Sequence, residues 1–369
     1  MGKKRFSPDV IDAANGAVSM ADLLSRAGVR LTARGGKMVG LCPFHREKSP
    51  SFTVYGDHAQ CYGCNWWGRP IGFVMAHDGV GFVDAVKRLL DEGGLGDLDP
   101  ARIAARAEET RAAQAAAEAE YARLVERDRL RDLDWWARAA PWQGSPVETY
   151  LVAARGLDAG ALRALGLPRL RCASLYYQDG LDGARLGPFS VMLGLIRDRG
   201  RMLGVHRTYL RPDGLGKADV PVQKKTPKGL KGGSIALYSP RNPRRVVMGE
   251  GIETVLSAAC AAMLAGRLAP DTAYLSSVSF PNFYGAAKHG SRGVALPGGG
   301  YLPSDIPDDH PGIWLPDSVQ DLTWLRDIPK SDAEGMALLR RGMARARAHG
   351  VRSTRYADPP SLSVEGECV

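Results

Sequence analysis

Near the start of the chain, four soft or borderline metal donors stand at metal-binding spacing. Cys42 and His45 are three apart in CPFH, Cys61 and Cys64 are three apart in CYGC, and fifteen residues lie between His45 and Cys61. Two tight turns that each present two N or S ligands suit Zn2+, which favours a closed tetrahedron of such donors. With all four positions filled by protein no place is left for a water, so the expected role is structural, without zinc-borne chemistry. Cys172, Cys260 and Cys368 have no partner spacing. Cys260 lies inside an apolar run and reads as a small packed residue.

A second candidate is a single carboxylate. In RRVVMGEGIETVLSAA, residues 244–259, a short apolar run ends in Gly249-Glu250-Gly251 and a helical pattern follows. That order puts Glu250 at the C-terminal edge of a strand, where an α/β sheet opens a crevice; glycines on both sides would let a metal or phosphate approach the backbone. Glu253, one turn further on, is expected to do no more than satisfy the helix dipole.

Elements to position these groups can be read along the chain. Residues 8–33 carry apolar positions at helical spacing, with Ser19 as an N-cap. Between the two metal knuckles, Phe52, Val54 and Tyr55 are followed by Gly56-Asp57, which suits a hairpin, and the whole becomes a zinc ribbon. Ile71, Phe73, Val74, Phe82, Ala85, Val86 and Leu89 then fall on helical faces that could close a small core. Residues 101–122 are half alanine, and no glycine or proline intervenes before Pro141, so a long, mostly exposed linking helix is expected. From about residue 168, short aliphatic runs (SVMLGLIRD, RMLGVHRTYL, SIALY, RRVVMGEG, TAYLSSVS, DLTWLRD) precede or alternate with two helical stretches, GIETVLSAACAAMLAGRL and SDAEGMALLRRGMARARAHG. The expected fold is multi-domain α/β. It comprises a zinc-ribbon domain over 1–95, a helical linker over 96–134, a basic strand-rich part over 135–240 and an α/β core over 241–369 with a partly parallel sheet.

With 369 residues and 44% hydrophobic content, two or three folded domains are expected. No apolar run approaches the roughly 18 residues that span a bilayer, and MGKKRFSPDV has no apolar region behind it, so a cytoplasmic location without membrane contact is expected. There the six cysteines would stay reduced. Net charge is +9, and residues 201–245 hold eleven Lys and Arg against Asp213 and Asp219, a cluster that points to a polyanionic partner.

The stretch from Gly40 to Leu90 resembles the N-terminal zinc-binding domain of DnaG-type bacterial and phage primases. In that family the ribbon contacts single-stranded template. The resemblance therefore implies phosphate contacts for Arg46, Lys48 and Arg69, and stacking faces among Phe52, Tyr55, Tyr62, Trp66 and Trp67. Phe52 is expected to pack instead, and Trp66 and Trp67, being adjacent on an extended chain, cannot both point inward. The segment around Glu250 resembles the first motif of the Toprim fold, which carries Glu250 to that family's catalytic glutamate. The strand-rich region before it resembles the one preceding Toprim in primases of phages and mobile elements, which implies roles in template or nucleotide binding for Arg207, Lys217, Lys225 and Lys231.

Toprim proteins also carry Asp-x-Asp after a later strand, and here the pattern departs: Asp327 and Asp332 are five apart, with Lys330 between them. The expectation is that Asp327 takes the first acidic role and that the loop containing Pro329 folds Asp332 back toward the same crevice. The alternative is that the second metal is lost. Glu250, Asp327 and Asp332 together would hold Mg2+ or Mn2+ for nucleotidyl transfer from NTPs onto a primer on single-stranded DNA. Two rivals stand beside this primase: a catalytically silent zinc-containing replication factor, and a Toprim nuclease. No P-loop pattern occurs, so the helicase is expected to be a separate protein.

Overall fold

The computed structural model describes residues 6–34, 37–45, 47, 50–61, 66–96, 99–178, 185–288, 291, 302–327 and 332–360. The chain divides into two compact units, Met1–Leu124 with Gln178–Ala184, and Val125–Tyr177 with Arg185–Val369.

In the first unit, helices α1 (Pro8–Ala17) and α2 (Met20–Arg26) each start at a serine N-cap, Ser7 and Ser19, whose hydroxyl accepts from an amide three residues on. Strands β1 (Thr32–Arg34), β2 (Lys37–Gly40), β3 (Phe52–Tyr55), β4 (His58–Cys61) and β5 (Trp67–Gly68) form an antiparallel sheet in that order. The β3–β4 turn is the expected one, with Gly56 at φ 63°, a conformation costly for any residue with a Cβ. Helices α3 (Pro70–Asp78) and α4 (Phe82–Glu92) close over the sheet, burying Phe52, Phe73, Val86 and Leu89. Phe82 departs from the expected pattern: it opens α4 and is exposed, with its ring against Phe6.

Helix α5 (Pro100–Arg138) belongs to the first unit up to Leu124 and to the second from Val125. Within the first unit it buries Ile103 and Ala107, and Arg106 donates to the carbonyl of Gly16. A Cβ on Gly16 would stand 2.0 Å from Thr110 Oγ1, so glycine is what lets α5 approach α1 this closely. Most of its other faces are exposed, as the alanine-rich sequence suggested.

The second unit has two sheets. Strands β6 (Ala140–Pro141), β7 (Leu170–Gln178), β8 (Arg185–Asp198), β9 (Arg201–Leu210) and β10 (Lys224–Lys225) make one, in the order β10-β9-β8-β7-β6. Between β6 and β7 lie α6 (Pro146–Thr149), which runs on into a π-helical turn over Tyr150–Ala154, and α7 (Ala159–Leu165). The second sheet is built from β11 (Ile235–Tyr238), β12 (Arg245–Gly249), β13 (Thr272–Ser276), β14 (Asp321–Leu325) and β15 (Ser353–Ala357), ordered β11-β13-β12-β14-β15. Its last four members are parallel, and only β11 runs antiparallel, against β13. Helix α8 (Ile252–Leu264) follows β12, α9 (Phe280–Tyr284) follows β13 and α10 (Ala333–Ala348) follows β14. Because β12 pairs with β13 on one side and β14 on the other, a crevice opens at its C-terminal end, at the topological switch point. Cys260 is buried in α8, the small packed residue its surroundings predicted.

Candidate metal centre and acidic cleft

Three of the four predicted zinc ligands converge. The donor atoms of Cys42, His45 and Cys61 all lie within 4.8 Å of one another; Cys64, with Arg46, Lys48, Tyr62 and Lys330, lies outside the described residues. His45 Nδ1 stands 3.7 Å from Cys61 Sγ. A tetrahedral zinc with Zn–N about 2.05 Å and Zn–S about 2.3 Å would separate those ligands by about 3.6 Å, so the donor set fits the ion. The surroundings fit too. The Phe44 amide points at Cys42 Sγ at 3.4 Å, and Ser51 Oγ lies 3.1 Å from Cys61 Sγ.

Glu47 is the organising outer group. Its carboxylate accepts from the amides of Cys42 (2.8 Å) and Ser51 (3.1 Å) and from the Ser51 hydroxyl, while Oε2 lies 3.3 Å from His45 Nε2. With Nδ1 turned to the metal position, the Nε2 proton is the one donated to Glu47, which fixes ring and tautomer. Partial burial works against the Glu47 charge, but the Ser51 and Cys42 hydrogen bonds outweigh it and hold the carboxyl below its usual range. Sequence reading passed over Glu47; its place five residues after the first cysteine was the available signal.

The two tryptophans divide as expected. Trp66 packs against Phe44 and Phe52 at ring separations of 4.6 and 5.5 Å, so it is a core residue and the template-facing role falls away from it. Trp67 is 58% exposed and belongs to a ladder on the sheet surface: Lys37 sits over Tyr55, Tyr55 stacks on His58 at 5.1 Å, and His58 meets Trp67 at 5.6 Å. Arg69, expected on phosphates, instead faces Asp57 (3.5 Å) and Asp12 (4.0 Å). Those carboxylates occupy the charge that a phosphate would need.

In the second unit, Glu250 and Asp327 line one cleft of about 170 Å3 at the C-terminal ends of β12 and β14. Partial enclosure raises the Glu250 pKa and the Asp327 charge adds to it, while the Phe280 amide hydrogen bond works in the other direction. Asp327 is raised by enclosure as well, against a 3.2 Å hydrogen bond from Thr254 and the charge of Lys224. Two carboxylates whose charges are each disfavoured, facing one cavity, form an arrangement that a divalent cation would relieve.

Asp332 is not among the groups around that cleft. Its carboxylate caps α10, accepting from the Gly335 amide at 2.9 Å, which corrects the expectation that it folds back beside Asp327. Gly249 is a packing glycine rather than one that opens the backbone to a ligand. A Cβ on Gly249 would meet Val255 and Leu325 at 3.1 and 3.3 Å, so its smallness serves packing of β12 between α8 and β14, whereas Gly251 lines the cleft.

The cationic wall of the cleft is largely unpredicted. Lys224, Arg155 and the buried ring of His206 line it together with Glu253. Glu253 is buried and holds Lys224 Nζ at 3.0 Å through Oε2, while Tyr150 donates to its Oε1 at 2.8 Å. Burial alone would raise Glu253, yet Lys224, the helix amide and Tyr150 bring it down to about 2. Glu253 therefore does far more than meet a helix dipole. Lys217, half-buried, is depressed by its surroundings and then by Lys224, so it shares this cationic neighbourhood. Lys225 lies over the Tyr177 ring at 3.7 Å, Arg207 over Trp135 at 5.3 Å, and Lys231 is exposed.

Comparisons with known proteins agree with the first unit most closely. A family described as CHC2 zinc finger, the zinc ribbon of DnaG, matches residues 6–99, and Domain of unknown function (DUF7146) matches residues 126–237. A DNA primase of Lactococcus lactis is 43% identical over 89 residues, 24% of this chain and 14% of that protein. A DNA primase of Streptomyces coelicolor is 32% identical over 166 residues, 44% of this chain and 24% of that protein. The matched region thus spans about a seventh to a quarter of these relatives' length. A crystal structure of the Aquifex aeolicus primase, with zinc-binding and RNA polymerase domains, covers 96% of this chain and 80% of its own, at 14% identity and TM-score 0.33. Through its zinc-finger region the chain is related to DnaG-type primases. Among the described residues no helix is long and apolar enough to cross a membrane.

Proposed function

We propose that the protein is a DNA primase that makes short RNA primers on single-stranded DNA by metal-dependent nucleotidyl transfer, with a Toprim-type core over 241–369 behind the basic part over 135–240. The observation that supports it most is the convergence of Glu250 and Asp327, from two distant segments, on one cleft whose other wall carries Lys224 and Arg155. Acidic and cationic groups facing each other across a small cavity suit a triphosphate with its counterions, because the cations neutralise phosphate oxygens and the carboxylates hold the ions.

In this reading Glu250 and Asp327 would hold Mg2+ or Mn2+, which when bound stabilises the attacking and leaving oxygens of an in-line displacement. Lys224, Lys217 and Arg155 draw the triphosphate of an incoming NTP into the cleft. The primer 3'-hydroxyl bonds to the α-phosphate, its proton passes to solvent and pyrophosphate departs. Glu253 and Tyr150 keep the Lys224 ammonium aimed during this exchange. On the first unit, Trp67 offers a stacking face to template bases, backed by the His58 and Tyr55 rings, with Lys37 nearby for phosphate. The zinc is structural, and the cytoplasmic replication of a phage, plasmid or integrated element, with a separate helicase, is the assigned setting.

A second reading has its own support: with Asp332 engaged in capping α10, the cleft offers one catalytic-type carboxylate fewer than the full triad, which favours a silent DNA-binding factor. Purified protein with single-stranded template, labelled NTPs and Mg2+ or Mn2+ separates the readings. Short RNA products that vanish in Glu250→Gln are expected; retarded DNA without products supports the silent factor, and shortened template a nuclease.

A further inference from the structure

A second cleft in the same unit, of about 380 Å3, shares no residue with the acidic one. Its floor is the face of the parallel sheet bearing Val246, Ala273 and Leu275, and its walls include Pro243, Pro316 and Trp314, which is 39% exposed. Val246 stands four residues before Glu250, so this part of the floor lies roughly 13 Å back along β12 from the carboxylate. The volume is in the range of about 300–1,000 Å3 that small-molecule sites occupy.

Three arginines line it: Arg169, Arg197 and Arg199. Arg197 donates to the Gly200 carbonyl, Nε at 2.9 Å; among the described residues none of the three pairs with a carboxylate, and no acid lines the cleft. Arg169 is half-buried, and burial followed by the charge of Arg197 lowers its pKa. The β8–β9 turn adds a second observation: Arg199 adopts φ 44° ahead of Gly200 at φ 83°, a left-handed position in which Asn or Gly would be at ease. An arginine kept there, beside two like charges without a counter-ion, is an arrangement that an anionic ligand would repay in binding.

We propose that this cleft binds a nucleoside phosphate, its ring lying against Trp314 and the apolar floor and its phosphates meeting Arg169, Arg197 and Arg199. The apolar floor argues for a ligand with an aromatic ring rather than a bare anion. With three arginines and no carboxylate among the described lining residues, binding here needs no divalent ion, unlike binding at the Glu250 cleft.

The test uses the full zinc-loaded chain without added Mg2+ or Mn2+, titrated with ATP, GTP, inorganic pyrophosphate and a short single-stranded oligonucleotide while tryptophan fluorescence is read. ATP or GTP should quench the signal, and Trp314→Phe should abolish that quench. Arg169→Gln with Arg199→Gln should weaken binding by about tenfold per arginine removed. Lys224→Ala, outside this cleft, should leave the quench unchanged. Thermal melting checks that each variant is folded; should the double variant melt early, Arg199→Gln alone, on an exposed turn, decides. The proposal is overturned if neither nucleotide binds without added metal, if the quench survives Trp314→Phe, if folded arginine variants bind like wild type, if Lys224→Ala removes the quench, or if pyrophosphate or the oligonucleotide binds as tightly as the nucleotides.

Discussion

Glu253 Oε2 holds the Lys224 ammonium at 3.0 Å while Glu253 Oε1 takes the Tyr150 hydroxyl at 2.8 Å, so a buried carboxylate ties a helix, a short edge strand and a π-helical turn to one cationic group at the cleft. Removing one partner of a fully buried pair costs about 3–5 kcal/mol, because the other charge is stranded; Lys224, its side chain 35% exposed, keeps enough water to bring the loss to the low end of that range or below it. Glu253→Gln should therefore lower stability by that order. As a positioning residue it should also raise KM for NTPs at least as much as it lowers kcat, since Lys224 meets the phosphates. Tyr150→Phe keeps the ring and loses one hydrogen bond, for a milder cost of about 1–3 kcal/mol. A Glu253→Gln enzyme that is destabilised but has unchanged KM would reduce the residue to a purely structural role.

The pH dependence of folding has an identifiable contributor in His206. Burial, then the charge of Lys224, lowers its pKa to about 4, and its ring nitrogens lie 3.4 Å from Thr226 and Thr208 hydroxyls. The folded value is below the ordinary 6.5, so the unfolded chain binds the proton more readily. Its stability contribution is full above about pH 6.5 and is lost as pH falls toward 4, with about 2 kcal/mol gone by pH 5. Denaturant unfolding at pH 7 and pH 5 should show a smaller drop for His206→Gln than for wild type; equal drops would contradict this.

Much of this architecture was legible in the sequence. The knuckle spacing exposed the zinc site, short aliphatic runs exposed the central strands, and the strand-glycine-acid-helix order placed Glu250 at a sheet edge, because all three are local patterns. Lys224, Glu253 and Tyr150 were missed as a group because their meeting brings α8 together with the π-helical turn and β10, which no local pattern encodes. Asp332 is different. An aspartate just before a helical run is an N-cap signal, and reading it as one would have kept it out of the acidic centre. Gly249 was misjudged for the opposite reason: a glycine beside a candidate site invites a ligand argument, while contacts with Val255 and Leu325 explain it by packing alone.

Zinc retention should depend on Glu47 as well as on the ligands. Losing an outer-shell partner of a metal-bound histidine typically weakens metal binding by about 10–100-fold, so Glu47→Ala should release zinc to a competing chelator at correspondingly lower concentration. Cys61→Ser with Cys64→Ser should retain none, and stripping the metal should lower the melting temperature, since binding energy is folding energy in such sites. Full zinc occupancy in the double cysteine variant would refute the site.

Nucleic-acid binding should respond differently to aromatic and basic changes. Trp67→Ala removes a stacking face worth about 1–3 kcal/mol per base, with little effect on the salt slope. Lys217→Ala with Lys225→Ala should weaken single-strand binding and reduce that slope by about 1.4 if both meet phosphates. Unchanged affinity and slope would leave Lys225, over the Tyr177 ring, and half-buried Lys217 to roles within the protein.

Glu250 and Asp327 are expected to share one divalent ion, and Mn2+ binding followed by electron paramagnetic resonance reads this without any turnover. Wild type and Asp332→Asn should bind Mn2+ alike, since Asp332 caps α10, while Glu250→Gln and Asp327→Asn should each weaken it by at least about tenfold, the loss of a charged ligand. Binding that survives both of those changes, or that disappears in Asp332→Asn with the helix intact, would contradict it.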